Sequence, residues 1–92
     1  MLSAAKPSPF SHTTEFAYTL FEPSQVNLSV FDLSGRTIRV LESAKVGALD
    51  VGLHSVRWNG RDDRGRLVPD GIYFCRLKVA AHSSTTKVVL TR

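Results

Sequence analysis

A two-residue hydrophobic period, recurring in short runs cut off by Gly- or Pro-bearing turns, constrains this chain more than any other feature. Phe16, Tyr18 and Leu20 alternate with Glu15, Ala17 and Thr19. After the turn Phe21-Glu22-Pro23-Ser24-Gln25, Val26, Leu28 and Val30 alternate with Asn27 and Ser29. Successive side chains of a strand point to opposite faces, so each run predicts a strand with one buried face. Leu33-Ser34-Gly35 predicts a tight hairpin in which Gly35 supplies a positive φ. Residues 36–41 then return with Ile38 and Val40 on one face. Residues 42–52 form a looser connection. Residues 42–49 have weak helical character, but Gly47 and the missing apolar stripe argue against a stable helix.

The next strand, 53–58, places His54, Val56 and Trp58 on one face, with the sole Trp just before the most charged loop. In that loop Asn59, Gly60, Asp62 and Gly65 are read as turn-formers above a core anchor, Trp58. Tyr73, Cys75, Leu77 and Val79 alternate with Phe74, Arg76 and Lys78. Residues 80–83 read as a turn carrying a solvated His82, and 85–91 as the last strand, with Arg92 at its end. Residues 1–12, rich in Ser, Ala, Pro and Lys, read as a linker or disordered lead-in whose Phe10 tucks against the domain edge. Six to seven short strands without a convincing helix predict an all-β fold. The expected architecture for residues 13–92 is an Ig-like antiparallel β-sandwich.

Composition narrows the function classes. A chain of 92 residues buries roughly 60–65% of its unfolded surface, enough for one small domain. No apolar run of about 18 residues is present to span a membrane, and the first residues lack the apolar core of a secretory signal. An export signal, if there is one, is expected elsewhere on a longer parent chain. Cys75 is the only cysteine, which excludes an internal disulfide, and its apolar strand makes it a small core residue rather than a nucleophile.

The net charge of +4 comes from 12 Lys+Arg against 8 Asp+Glu, with no basic block of the kind that binds nucleic acid. Arg57, Arg61, Arg64, Arg66, Arg76 and Lys78 could converge, with Tyr18, Phe31 or Phe74 outward, into a face for an anionic polymer or polysaccharide. Their plainer role is to keep outer strand faces soluble and blunt sheet edges.

The carboxylates Asp62 and Asp63 with Asn59 have oxygen ligands for calcium, but Arg61 and Arg64 stand among them. Capping of a tight turn by Asx side chains is the expected role. His12, His54 and His82 have no ligand spacing. No nucleophile elbow, P-loop or dinucleotide fingerprint occurs. The expectation is a non-enzyme without metal or cofactor.

Several segments resemble a known bacterial pattern in the same order. Val30-Phe31-Asp32-Leu33-Ser34-Gly35-Arg36 with Ile38 to Leu41 is similar to a "VYDLxGRxVRxL" hairpin. His54 to Gly65 is similar to "HxVxWDGRDxxG", Pro69 to Leu77 to "xSGVYFYRL", Lys87 to Leu90 to "KMVLL", and Pro7 to Phe10 to a "PNPF" lead-in. These mark bacterial C-terminal Ig-like modules: the type IX secretion sorting domain and the Ig-like module of flagellar hook capping. Asn59 replaces a usual Asp, Cys75 a usual aromatic, and Ser8 departs in the lead-in, all tolerable to the fold.

The resemblance implies a non-catalytic C-terminal module that ends the polypeptide and targets a larger secreted protein for type IX export or surface attachment. It further implies partners in the outer-membrane secretion machinery (a shuttle and a sortase-type peptidase) and in the parent's upstream domain. The implied location is secreted or cell-surface, through the periplasm and outer membrane. Recognition would rest on Pro69, Gly71 and Tyr73 and on the last strand, Lys87, Val88, Val89 and Leu90, offered as an edge for β-augmentation. A structural assembly module, as in hook capping, and a carbohydrate-binding accessory module stand as alternatives.

Overall fold

A computed structural model describes residues 2–43 and 47–92. Part of the connection in which weak helical character is read, 44–46, lies outside the described residues. Among the described residues there are six strands: β1 (Thr14–Leu20), β2 (Val26–Phe31), β3 (Thr37–Glu42), β4 (Gly52–Trp58), β5 (Gly71–Val79) and β6 (His82–Leu90). They form two antiparallel sheets, β1-β4 and β3-β2-β5-β6. The alternation read in the sequence does what its period requires. Phe16, Tyr18 and Leu20 from β1 meet Val26, Leu28 and Val30 from β2, Tyr73, Cys75 and Leu77 from β5, and Val88 and Leu90 from β6 in one buried core. The protein is an all-β Ig-like sandwich. Burial pushes the Cys75 thiol up to about 12, so it stays a protonated filler.

Three local expectations are corrected. In β3, Ile38 and Val40 do not share the inner face; Val40 is exposed, while Ile38 and Leu41 pack on the core. The cause is two register breaks against β2, where Ser29 pairs Val40 and Leu28 pairs Glu42, leaving Leu41 unopposed. An extra residue reverses the face of every residue beyond it in the strand. Secondly, His82 is not in the turn: it pairs with Val79 as the first residue of β6, and it remains exposed. The turn shrinks to Ala80-Ala81, with Ala80 at φ 53, the positive φ that two-residue hairpins demand.

Thirdly, the lead-in is docked. Its first part pairs with β1, through Leu2↔Tyr18 and Lys6↔Glu15, and then crosses to the other sheet, where Phe10 pairs in parallel with Leu90. Thr14 Oγ1 donates to the Pro7 carbonyl at 2.7 Å and the Val89 N–H donates to Ser8 Oγ at 3.1 Å. Ser- and Pro-rich composition reads as a linker because it forms neither helix nor long strand. It does not stop short segments from filling the vacant edge of a sheet.

Tyr18 also settles inward. Its ring stacks on His54 at 5.3 Å, and its hydroxyl has no hydrogen-bond partner among the described residues. Burial, reinforced by the charge of Glu42, pushes its pKa up to about 12. A buried hydroxyl without a partner costs about 1–3 kcal/mol. Tyr18→Phe is therefore expected to raise the thermal midpoint by several degrees; a scanning-calorimetry midpoint below wild type would refute it.

Candidate functional site

One pentapeptide pattern, Asp-x-x-Gly-Arg, occurs at Asp32–Arg36 and again at Asp62–Arg66. Both copies fold into the same loop. Asp32 Oδ1 accepts the backbone N–H of Ser34 and of Arg36, each at 3.0 Å, and the Ser34 hydroxyl at 2.6 Å. Asp62 Oδ1 accepts the N–H of Arg64 at 2.9 Å and of Arg66 at 3.0 Å. In each, the Asp N–H donates to the carbonyl of the Arg four residues on, and the Gly N–H returns to the Asp carbonyl. Gly35 and Gly65 take φ 86 and 81, left-handed values that disfavour any side chain. Arg36 and Arg66 turn back on their own Asp at 3.4 and 3.3 Å. The carboxylates therefore cap turns, as expected for Asx residues, rather than presenting ligands.

The two loops face each other across a shallow cleft whose lining includes Arg36, Ile38, Arg66, Pro69 and Tyr73. Asp63 joins the second loop to the sheet: its Oδ1 accepts the N–H of Val40 at 3.0 Å, and its own N–H donates to Ile38 O at 3.1 Å. This closes the free edge of β3, since unpaired strand groups otherwise invite another strand. Arg39 braces the same junction, donating to the Arg61 carbonyl at 3.4 Å and to Asn59 Oδ1 at 3.5 Å.

Beneath the loops lies Trp58, fully buried. Phe10 meets it at 5.5 Å and Tyr73 at 5.4 Å, edge-on. Its indole N–H donates to Arg61 O at 2.9 Å, and the Tyr73 hydroxyl donates to Pro69 O at 2.5 Å. Lead-in, both sheets and both turns thus meet on one aromatic column. Arg92 fastens the far side. Its guanidinium donates to Val68 O at 2.6 Å and Gly60 O at 3.1 Å, while its backbone N–H reaches Asp70 at 3.0 Å. Gly60, at φ 71, lies so close that an added Cβ would sit 2.8 Å from Arg92 Nη2.

The turn and core residues Gly35, Trp58, Asn59, Gly60, Asp62 and Gly65 therefore all belong to this end. The residues expected from the resemblance to serve recognition divide. Pro69, Gly71, Tyr73 and Lys87 to Leu90 come together, because Gly71 pairs with Leu90, Tyr73 with Val88 and Phe74 with Lys87. Pro69 and Lys87 are exposed, whereas Tyr73, Val88 and Leu90 point into the core and offer a partner no side chain. The last-strand edge at 89–91 is already taken by Phe10 and Ser8.

The basic residues do not converge. Arg57 pairs with Glu15 at 3.6 Å on the two-stranded sheet, Arg61 bonds within its own loop to Gly65 O, and Arg76 covers the Phe31 ring at 4.7 Å on the other sheet. Phe31 and Phe74 are paired there, half-buried, but Tyr18 is inside. The paired loops, the Asp63 plug and the Arg92 fastening escaped sequence reasoning. The repeated pentapeptide was a signal that could have revealed the first.

Acid should loosen this end. Hydrogen bonds from Ser34 and then Arg36 hold Asp32 below its ordinary pKa, and the Arg66 N–H does most for Asp62. A depressed carboxylate contributes stability above its unfolded value, about 3.9, and loses it as pH falls through the folded value. Amide protection at Arg36 and Arg66 is expected to be constant above about pH 5 and to fall below about pH 4. Protection factors unchanged down to pH 3 would refute the capping role.

Comparison with known proteins agrees with this architecture. The sequence profile of the FlgD Ig-like domain matches residues 8–85. The basal-body rod modification protein FlgD of Salmonella typhimurium is 31% identical over 86 residues, covering 92% of this chain, and that of Salmonella typhi is equally similar. The chain spans 35% of the length of these relatives. The chain belongs to the FlgD Ig-like domain family, a family of non-catalytic β modules.

Proposed function

We propose that this module directs a larger protein to type IX export and fixes it at the cell surface, presenting the Pro69–Tyr73 turn and the exposed side of β6 to the secretion machinery at the outer membrane. The observation that carries the reading is the direct pairing of the two segments, Gly71 with Leu90 and Ile72 with Val89, locked by Arg92 on Asp70. A recognition element split in sequence is thereby a single rigid surface. Such preorganisation lowers the ordering cost of binding.

The test fuses residues 1–92 to a reporter in a type IX-competent host. Removing 87–92 would not discriminate, because Val88 and Leu90 belong to the core. Pro69→Ala combined with Lys87→Glu alters exposed side chains only. Export is expected for the wild-type fusion and periplasmic retention for the double variant at an unchanged melting temperature. Equal export of both would discard the reading.

A second reading is favoured by the 31% identity to a basal-body rod modification protein. On this reading the module is a structural unit of an assembly and needs no secretion partner. Copurification with flagellar rod or hook components, with the reporter fusion remaining inside the cell, would support it over the first.

A further inference from the structure

The four-stranded sheet has two edges, and they are treated differently. Asp63 plugs the β3 edge. The β6 edge is covered only at its end: Phe10 N–H donates to Val89 O and Thr91 N–H donates to Phe10 O, both at 2.9 Å. Along a strand the outward backbone groups recur every second residue. With Val89 and Thr91 facing outward, Ser83, Thr85 and Lys87 carry theirs to the same side, and no described residue pairs with them. The pairing of β6 with β5 runs from His82 to Leu90 without a bulge, and residues 82–87 contain no proline. The usual devices that blunt an edge are reduced here to one lysine, Lys87.

The lead-in shows what an occupant of this edge does. Phe10 pairs with β6 and drops its ring between the sheets onto Trp58, keeping only 3% exposure. At the other end of the same edge the space between the sheets is open. A groove of about 470 Å³ lies there, lined by Leu20, Leu77, Val79 and Ala80 with Ser84 and Phe21 among its rim. Phe21 is 88% exposed, an aromatic ring left in water beside an unfilled apolar groove, the mark of a contact surface.

We propose that Ser83–Lys87 and this groove receive an extended segment of another polypeptide. The segment adds as a further strand and inserts a bulky apolar side chain under Phe21, continuing along β6 the contact that Phe10 makes at its end. Backbone pairing supplies affinity without sequence preference, and the groove selects a segment apolar at alternate positions. This surface shares Lys87 with the face proposed for export but lies apart from the Pro69–Tyr73 turn, and it holds whether or not the module directs export.

The probe is an acetylated, amidated nonapeptide alternating Thr and Val around a central Phe, titrated into isotope-labelled residues 1–92. Amide shifts are expected at Ser83, Thr85 and Lys87, with ring shifts at Phe21. Thr85→Pro removes an outward N–H that the β5 pairing does not use, and should weaken binding by roughly tenfold, the worth of a backbone hydrogen bond. Phe21→Ser, outside the core, should weaken it several-fold and carries the test alone if Thr85→Pro does not fold. Absent binding, shifts confined to other surfaces, or affinity indifferent to both variants would overturn the proposal. So would a concentration-dependent dimer abolished by Thr85→Pro, which would make a second copy the occupant.

Discussion

Trp58→Ala is expected to lower stability by about 3–5 kcal/mol, the range for a large aromatic removed from a core. Domains of this size have little more to lose. The indole is fully buried, touches Phe10 and Tyr73, and satisfies the Arg61 carbonyl. No neighbour can relax into the space, because each is itself held: Tyr73 by Pro69, and the lead-in by its pairing with β1 and β6. Trp58→Phe should recover most of the packing yet leave the Arg61 carbonyl only its longer contact with Arg39, placing it between the two. Denaturant unfolding of the three proteins orders them. A Trp58→Ala variant within 1 kcal/mol of wild type would remove Trp58 from its place as anchor.

The second large effect falls in a segment whose composition reads as a linker. Phe10→Ala is expected to cost about 3 kcal/mol, at the lower end of the range for a buried phenylalanine. Were residues 1–12 a detached linker, the same change would stay within about 0.5 kcal/mol, as at ordinary surface sites. The two outcomes do not overlap. Phe10 is 3% exposed, lies against Trp58 and makes backbone bonds to Val89 and Thr91. A truncation starting at Thr13 removes it together with the pairing of Leu2 and Lys6 on β1, and should melt well below the point variant. Equal melting temperatures for wild type and Phe10→Ala would return the lead-in to linker status.

These two residues also mark how far the sequence could be read. Trp58 was legible because it ends a strand of clear period two and precedes a Gly-bracketed turn, so its side chain had to face the sheet interior. Phe10 was legible only as a residue tucked against the domain edge, since it stands between prolines and polar residues with no period to fix its direction. Val40 shows the same limit from the other side. Its period was correct, but two register breaks against β2 reversed the face, and a bulge depends on a partner strand as much as on local residues.

The residues expected to serve recognition divide on this line too. The order of the motifs along the chain singled them out. Only the pairing of β5 with β6 showed that Val88 and Leu90 are core residues while Lys87 and Pro69 face solvent.

By itself, then, the sequence determined the class of fold, the strands, the turn chemistry of Asp62, Gly35 and Gly65, and the family. These rest on local periodicity and on backbone preferences of single residues, which the chain carries wherever it goes. Tertiary structure alone decided which edges are covered. Asp63 on β3, Phe10 and Arg92 around β6, and the open groove beside Ser83 to Lys87 depend on contacts between segments far apart in sequence. No local preference encodes such a contact. It exists only once two sheets have packed and left particular backbone groups in need of a partner.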